Sequence, residues 1–366
     1  MSTTQQAAPA TTGRRERGAL RSLEPLSPAR ISGIYVWGAL ILLFALWVPE
    51  TFLTGTTFKN IAAGEAVTAL ITLGLLFPLA AGTFDLSIGF TVGLSGIIAA
   101  KLLNSGSSPT VAVLVALGVA LAVGVLNGVV VVGIGVDSFI ATLGTGSVIQ
   151  AVTLAISNNE QIIGLPPSFG AIGNNEILGL PLPVFYVIIF AFVAWYALEH
   201  TPFGRYLYAI GSGREAARLA GIKTDRFRFA TLIISALAAG AAGVVVTARL
   251  GSGSPDIGPE YLLPAFAAAF LGATQLKPGR INVWGALIAV YLLATGVTGL
   301  QLAGASFWIT YLFNGLALII AVSLGVLQGR LFISRQRRRR RQAAASAARA
   351  AAAPSDDGPQ PPEPAS

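Results

Sequence analysis

Few residues in this chain are equipped for chemistry, and the most conspicuous is a single carboxylate. Asp85 lies in Ala81-Gly-Thr-Phe-Asp-Leu-Ser-Ile-Gly89, between long apolar runs and with no basic residue nearby. A carboxylate at the centre of a bilayer costs roughly 2.5–3.5 kcal/mol on insertion scales, so Asp85 must face protein or water. Two roles are open to it. It can cap the following helix by accepting backbone N–H bonds, or it can shape or line a translocation path. The roles are compatible, because a helix broken near mid-membrane is a common way to build a transport site. Glu65 is the other acidic residue near membrane depth. Ser87, Asn127, Thr142, Thr145, Ser147 and Gln150 add hydroxyls and amides on neighbouring apolar runs. Such groups bond across helices, and they can also exchange hydrogen bonds with a polar solute. Asp85, Ser87, Asn127 and Thr142 are the candidates for a translocation path.

Enzyme constellations are missing from the sequence. No GxxxxGK[ST] phosphate loop and no Gly-Lys pair occur, so the chain does not hydrolyse ATP by that route. The absence of cysteine excludes disulfides, thiolate metal sites and cysteine nucleophiles. His200 is the only histidine, beside Glu199 at the end of an apolar run, and no metal site is expected from it. Gly211-Ser-Gly-Arg-Glu-Ala216 imitates the start of a dinucleotide fingerprint, but it lacks the surrounding βαβ unit that would give it meaning.

The elements that position these groups follow from composition. Hydrophobic residues make up 54% of the chain and charged residues only 11%, against about 25% charged in a soluble domain. Lipid must cover much of the surface. An apolar helix of about 20 residues crosses the ~30 Å hydrocarbon core. Apolar runs near 34–53, 61–82, 86–103, 110–132, 138–157, 182–199, 227–248, 260–275, 282–302 and 306–327 predict about ten transmembrane helices. The fold class is therefore an all-α polytopic membrane protein, with 86–103 and 260–275 short enough to be discontinuous. Residues 1–30 and the Arg-, Ala- and Pro-rich 331–366 read as disordered tails around a transmembrane domain at 31–330. The small-xxx-small pairs Gly89/Gly93, Gly124/Gly128 and Gly325/Gly329 predict close helix contacts.

Charge placement orients the bundle. With the N-terminus inside and ten spans, Lys59, Lys101 and Arg249 fall outside and the remaining lysines and arginines inside, which places both termini in the cytoplasm. The loop carrying Arg205, Arg214, Arg218, Lys223, Arg226 and Arg228 decides this, and Lys277, Arg280 and the stop at Arg335–Arg341 agree. The net charge of +8 thus records topology and does not indicate a nucleic-acid partner. Within the loop, Glu215–Ile222 has an early acid, a later arginine and a glycine stop at Gly221, the pattern of a short helix. Ala216, Leu219 and Ala220 fall on one face of it. That face suits either packing on the bundle or docking of a cytoplasmic partner.

At these features the chain resembles the permease subunits of ribose-type, binding-protein-dependent bacterial ABC importers. The resemblance covers roughly residues 55–327. It rests on GTFDLSIG (82–89), SFIATLGT (138–145), HTPFGRYLYAIGSGREAARLAGI (200–222) and ARLGSGSPDIGPEYLLPAFAAAFLGAT (248–274). Phe84 stands where that family usually has isoleucine, and Leu271–Arg280 replaces a more glycine-rich stretch. The resemblance implies a cytoplasmic coupling loop at 200–226 whose contacts with an ATPase subunit are Glu215, Ala216, Ala217, Arg218, Leu219 and Gly221. It also implies a second permease copy or a related permease, and a periplasmic or lipid-anchored solute-binding protein. The cargo would be a pentose, hexose or related polyol, moved across the bacterial cytoplasmic membrane. No cofactor is expected on this chain, with ATP and Mg held by the ATPase. The alternative is an ion-coupled secondary transporter using Asp85 or Glu65.

Overall fold

The computed structural model describes residues 32–323. The two tails expected at 1–30 and 331–366, the Arg335–Arg341 stop and the Gly325/Gly329 pair lie outside the described residues.

The chain folds into helices α1 (Ser32–Trp47), α2 (Gly55–Gly64), α3 (Ala66–Ala80), α4 (Ser87–Asn104), α5 (Pro109–Gly128) and α6 (Ser138–Ser157). These are followed by α7 (Pro167–Asn174), α8 (Leu182–His200), α9 (Pro202–Ser212), α10 (Arg214–Leu219) and α11 (Thr224–Leu250). Then come α12 (Ile257–Glu260), α13 (Leu262–Gly272), α14 (Val283–Leu302) and α15 (Ile309–Ser323). Among the described residues seven helical segments are long and apolar enough to cross a membrane, and three shorter apolar ones accompany them. Each of the ten expected runs is thus helical, and the chain is an all-α, multi-pass membrane protein.

Three departures from ideal spans have local causes. The first run breaks after Trp47, where Pro49 starts a separate single turn, Pro49–Phe52. Of the two runs expected to be weak, 86–103 is one unbroken 18-residue helix. The 260–275 run is short, its helix ending at Gly272; α12 and α13 meet at Tyr261, which keeps right-handed helical backbone, with Pro259 and Pro264 limiting the backbone donors available. A π-helical turn, Val129–Ile134, extends α5 and ends at Gly135 with φ +88°.

Helix α11 is the axis of the bundle and packs against α3, α4 and α5. Its Ser235–Gly243 stretch is almost entirely Ala, Gly and Ser, so neighbouring backbones come close. Gly240 faces Ala120 of α5, and Gly243 faces Ser95 of α4. The expected glycine pairs are used in the same way. Gly89 and Gly93 receive α12 at Gly258, and Gly124 and Gly128 receive Ile233 and Phe229 of α11.

The two ends of the bundle differ. At one end the segment 157–182 forms a cap. Strand β1 (Ile162–Ile163) pairs with β4 (Ser252–Gly253), and β2 (Glu176–Ile177) with β3 (Leu180–Pro181). Helix α7 is held by Asn174 Nδ2, which donates to Ala248 O at 3.1 Å. Lys59 pairs with Glu176 at this end, Lys101 donates to Ile156 O and Arg249 to Ala63 O. The opposite end gathers the 81–86 and 135–137 turns, the whole 200–224 segment and the 273–282 turn. Arg205, Arg214, Arg218, Lys223, Arg226, Arg228, Lys277 and Arg280 all lie there. The basic residues that sequence assigns to opposite sides of the membrane are therefore at opposite ends of the fold.

Candidate functional site

The turn between α3 and α4 is a junction of five helices. Pro78 stands near the end of α3, and Gly82 takes φ +66°, a left-handed conformation that glycine adopts without a Cβ penalty. The turn then exposes backbone groups that distant side chains satisfy. Arg228 Nε of α11 donates to Thr83 Oγ1 at 3.0 Å. Phe84 N donates to Ser138 Oγ at 3.1 Å, and Leu86 N to Thr142 Oγ1 at 2.9 Å, both on α6. Asp85 Oδ1 accepts from Ser87 N at 3.1 Å and from Ser87 Oγ at 2.6 Å. Ser87 Oγ in turn accepts from Asn127 Nδ2 of α5 at 2.7 Å.

The four path candidates, Asp85, Ser87, Asn127 and Thr142, thus meet in one network, and all four are 0% exposed. Asp85 does accept a backbone N–H at the start of α4, so the capping role is realised. In this conformation the four residues fasten helices to the turn and are closed off from solvent. Glu65 is not part of the network. It sits at the joint between α2 and α3, far along the chain toward the other end. Thr145 and Ser147 donate to carbonyls of their own helix, and Gln150 reaches Asp256 and Pro255 O across the bundle.

Asp85→Ala removes the acceptor of two buried bonds and leaves the Ser87 amide without a partner. Leaving a buried donor unsatisfied costs about 1–3 kcal/mol. The expected outcome is a lower midpoint of thermal aggregation in detergent, with Asp85→Asn, which keeps an acceptor oxygen, affected less. An unchanged midpoint in Asp85→Ala would show that the turn is held by other contacts.

Below the turn lies the 200–224 segment. Thr201 caps α9 by accepting from Gly204 N, and Pro202 occupies the first turn. Sequence reading placed one short helix at 215–222. The structure adds α9 before it and ends α10 at Leu219, with Gly221 at φ +83°. The Thr-Pro pair at 201–202 is a helix-start signal that could have revealed α9. Of the expected docking contacts, Glu215, Ala216, Arg218, Leu219 and Gly221 are exposed, with Leu219 at 81%. Ala217 is buried and turned toward the bundle. The apolar face Ala216–Leu219–Ala220 therefore points away from the protein, leaving no part of it packed on the helices. Arg218 pairs with Glu215, and Arg214 with Asp225, on the surface, where such pairs add little stability.

Contacts that no sequence signal announced tie this segment to the junction. Gly211 of α9 lies against Ala80 O and the Gly82 backbone. On its other side α9 meets the 273–282 turn, where Tyr208 OH donates to Ile281 O at 2.7 Å and Arg280 stacks over the Tyr208 ring at 3.8 Å. Burial pushes the Tyr208 phenol pKa up, with Arg280 opposing, so the hydroxyl keeps the proton it donates. Lys277 pairs with Glu199 at the end of α8. The Lys277–Arg280 turn is thus built into the foundation of α9.

Residues 57–322 match the family described as "Branched-chain amino acid transport system / permease component". The chain is similar to the ribose import permease protein RbsC of Bacillus subtilis, with 33% identity over 78% of this chain and 89% of that protein. It is 32% identical to the D-allose transport system permease protein AlsC of Escherichia coli, over 79% and 89% of the two chains. With the L-arabinose transport system permease protein AraH of the same organism it shares 29% identity over 79% and 88%. No solved structure matches. With seven spans and three shorter apolar helices among the described residues, and relatives matched over most of their length, this chain belongs to that family of transport-system permeases, in its ribose-type group, and is a membrane transporter subunit.

Proposed function

We propose that the chain is the membrane-spanning half of a binding-protein-dependent monosaccharide importer, driven by ATP hydrolysis in a separate subunit. The observation that carries this reading is the solvent-facing Ala216–Leu219 surface, at the basic end of a bundle that otherwise fits lipid. A small apolar face surrounded by charge is a docking surface in search of a partner. In this reading the energy comes from such a partner. Relatives named for ribose, allose and arabinose favour a pentose or hexose. The wording of the family description favours branched-chain amino acids. Named relatives matched along nearly nine-tenths of their length weigh more.

In this reading two permease copies pair in the bacterial cytoplasmic membrane, with both termini and the 200–226 segment in the cytoplasm. An ATPase pair, holding ATP and Mg, docks on Glu215, Ala216, Arg218, Leu219 and Gly221. Ala217 fixes α10 to the bundle from within. A periplasmic or lipid-anchored solute-binding protein delivers the sugar to the capped end. Motion of α10 reaches α9, then Gly211, then the 81–87 turn. From there Thr83, Ser138, Thr142 and Asn127 pass it to α11, α6 and α5, and the bundle opens to one side at a time. Asp85, Ser87, Asn127 and Thr142 shape the path by holding these helices in register.

The test is uptake by the complete complex in lipid vesicles. D-ribose, D-allose or L-arabinose should accumulate only with ATP on the α10 side and with the binding protein outside, and an uncoupler should not affect it. Uptake that collapses with the uncoupler while ATP remains intact would establish ion coupling through Asp85 or Glu65 instead.

A further inference from the structure

The chain contains a second polar feature, remote from the junction and from the coupling segment. A cavity of about 250 Å³ opens between α3, the α12–α13 joint, α14 and α15. Its polar lining includes Glu65, Thr68, Glu260, Tyr261, Thr310 and Asn314. Three segments contribute to it: the α2–α3 joint carries Glu65, the α12–α13 joint carries Glu260 and Tyr261, and α15 presents Thr310 and Asn314 one turn apart on one face.

We infer that this cavity is a binding site for a polyhydroxylated solute within each permease copy, an inference that rests on the importer reading above. Three observations point to a hydroxyl-rich ligand. Asn314 is buried to 8% exposure, makes no hydrogen bond with another described residue and lines the cavity. Glu65 lines it as well, and the guanidinium beside it, Arg249, is engaged with Ala63 O. A carboxylate accepts from hydroxyls, an amide both donates and accepts, Thr68 does both, and Thr310 Oγ1, which accepts from Gln301 Nε2 at 3.0 Å, keeps its O–H to donate. A buried amide such as that of Asn314 demands partners. The remaining wall, formed by Val290, Leu293, Ala294 and the Tyr261 ring, supplies apolar surface for the C–H face of a ring. The volume lies below the roughly 300–1,000 Å³ of drug-sized sites, which suits a solute the size of a monosaccharide. The site lies along α3, whose other end runs into the 81–87 turn, so occupancy and coupling share a helix.

The chain has no cysteine, so Thr310→Cys places a unique thiol on the cavity wall. Full-length protein carrying it, in lipid nanodiscs, is treated with N-ethylmaleimide and the labelling rate read by mass. At about twice its Kd, D-ribose should slow labelling about threefold, by simple occupancy. Glu65→Gln or Asn314→Ala in the same background should abolish that protection, each compared with its own unliganded rate. A monodisperse size-exclusion peak and unchanged helical circular dichroism would show that the variants are folded. Absence of protection by D-ribose, D-allose and L-arabinose at saturating concentration would overturn the inference. Protection by ethanolamine alone would assign the cavity to an amine or lipid headgroup, by sodium alone to a cation, and by leucine alone to an amino acid; each result also overturns it. If ATP-driven sugar uptake persists while protection is absent, only the cavity assignment fails. If uptake is independent of ATP, the importer reading fails whatever the labelling shows.

Discussion

Ala216→Asp combined with Leu219→Asp is expected to abolish ATP-driven uptake while the permease itself remains folded. Both side chains are exposed, and substitutions at such positions usually change stability by less than about 0.5 kcal/mol. The pair therefore separates docking from folding, which a change at buried Ala217 would not. When an ATPase subunit covers α10, each new carboxylate loses water without gaining a partner. An unpaired charge buried at an interface costs several kcal/mol. At about 1.4 kcal/mol per decade, even ~3 kcal/mol weakens association about a hundredfold. Two readouts are needed: co-purification of the ATPase with the variant, and sugar uptake in vesicles at equal permease content. Both should fall together, with the thermal midpoint of the permease unchanged. Uptake at the wild-type rate would remove α10 as the docking element.

The second large effect is expected one step further along the same route. Gly211→Ala leaves the outward face of α10 intact, yet the added Cβ would overlap the Ala80 carbonyl oxygen. The contact is backbone against backbone, so no flexible side chain can yield. Overpacking of this kind costs about 1–3 kcal/mol and is relieved by moving the elements apart. Helix α9 would then shift away from the 81–87 turn. The ATPase should still bind and hydrolyse ATP, but uptake should fall by about tenfold for each ~1.4 kcal/mol of lost coupling. The number of ATP molecules consumed per sugar is the discriminating measurement. An unchanged ratio would show that motion bypasses Gly211. Loss of ATPase binding would show that α9 is itself part of the docking surface. The Asp and Ala variants thus interrogate binding and transmission separately.

Much of this architecture is legible from local sequence. Spans are read from runs of apolar residues and orientation from lysines and arginines between them, both properties of short windows. The weakness of the 260–275 run is legible for the same reason, since the run is short, and its helix ends at Gly272. Helix 86–103 looks equally weak by length and polarity. It survives unbroken because Ser87, Thr91 and Ser95 are buried against other helices, a condition outside its own sequence. Asp85 is readable as exceptional because a carboxylate among apolar runs always needs a partner. Its partner is the nearby Ser87, and so the capping role could be anticipated.

Other parts of the site depend on residues far apart in the chain. Phe84 meets Ser138 across 54 positions, and Thr83 meets Arg228 across 145. Nothing in the hydropathy of either segment encodes such pairings, which arise when α11 packs at the centre of the bundle. Ala217 looks identical to Ala216 in sequence, yet one faces the bundle and the other solvent, because the break at Gly213 and the anchoring of α9 set the rotation of α10. The cavity at Glu65 needs the α2–α3 joint, the α12–α13 joint and one face of α15 to meet at one depth. The sequence by itself determined that this is an all-α multi-pass membrane protein with a basic, alanine-rich helix between two of its apolar runs, since those properties are carried by composition and local order. Only the tertiary structure decided that the 81–87 turn joins that helix to three spans, because the joining contacts exist only once the chain has been folded back on itself.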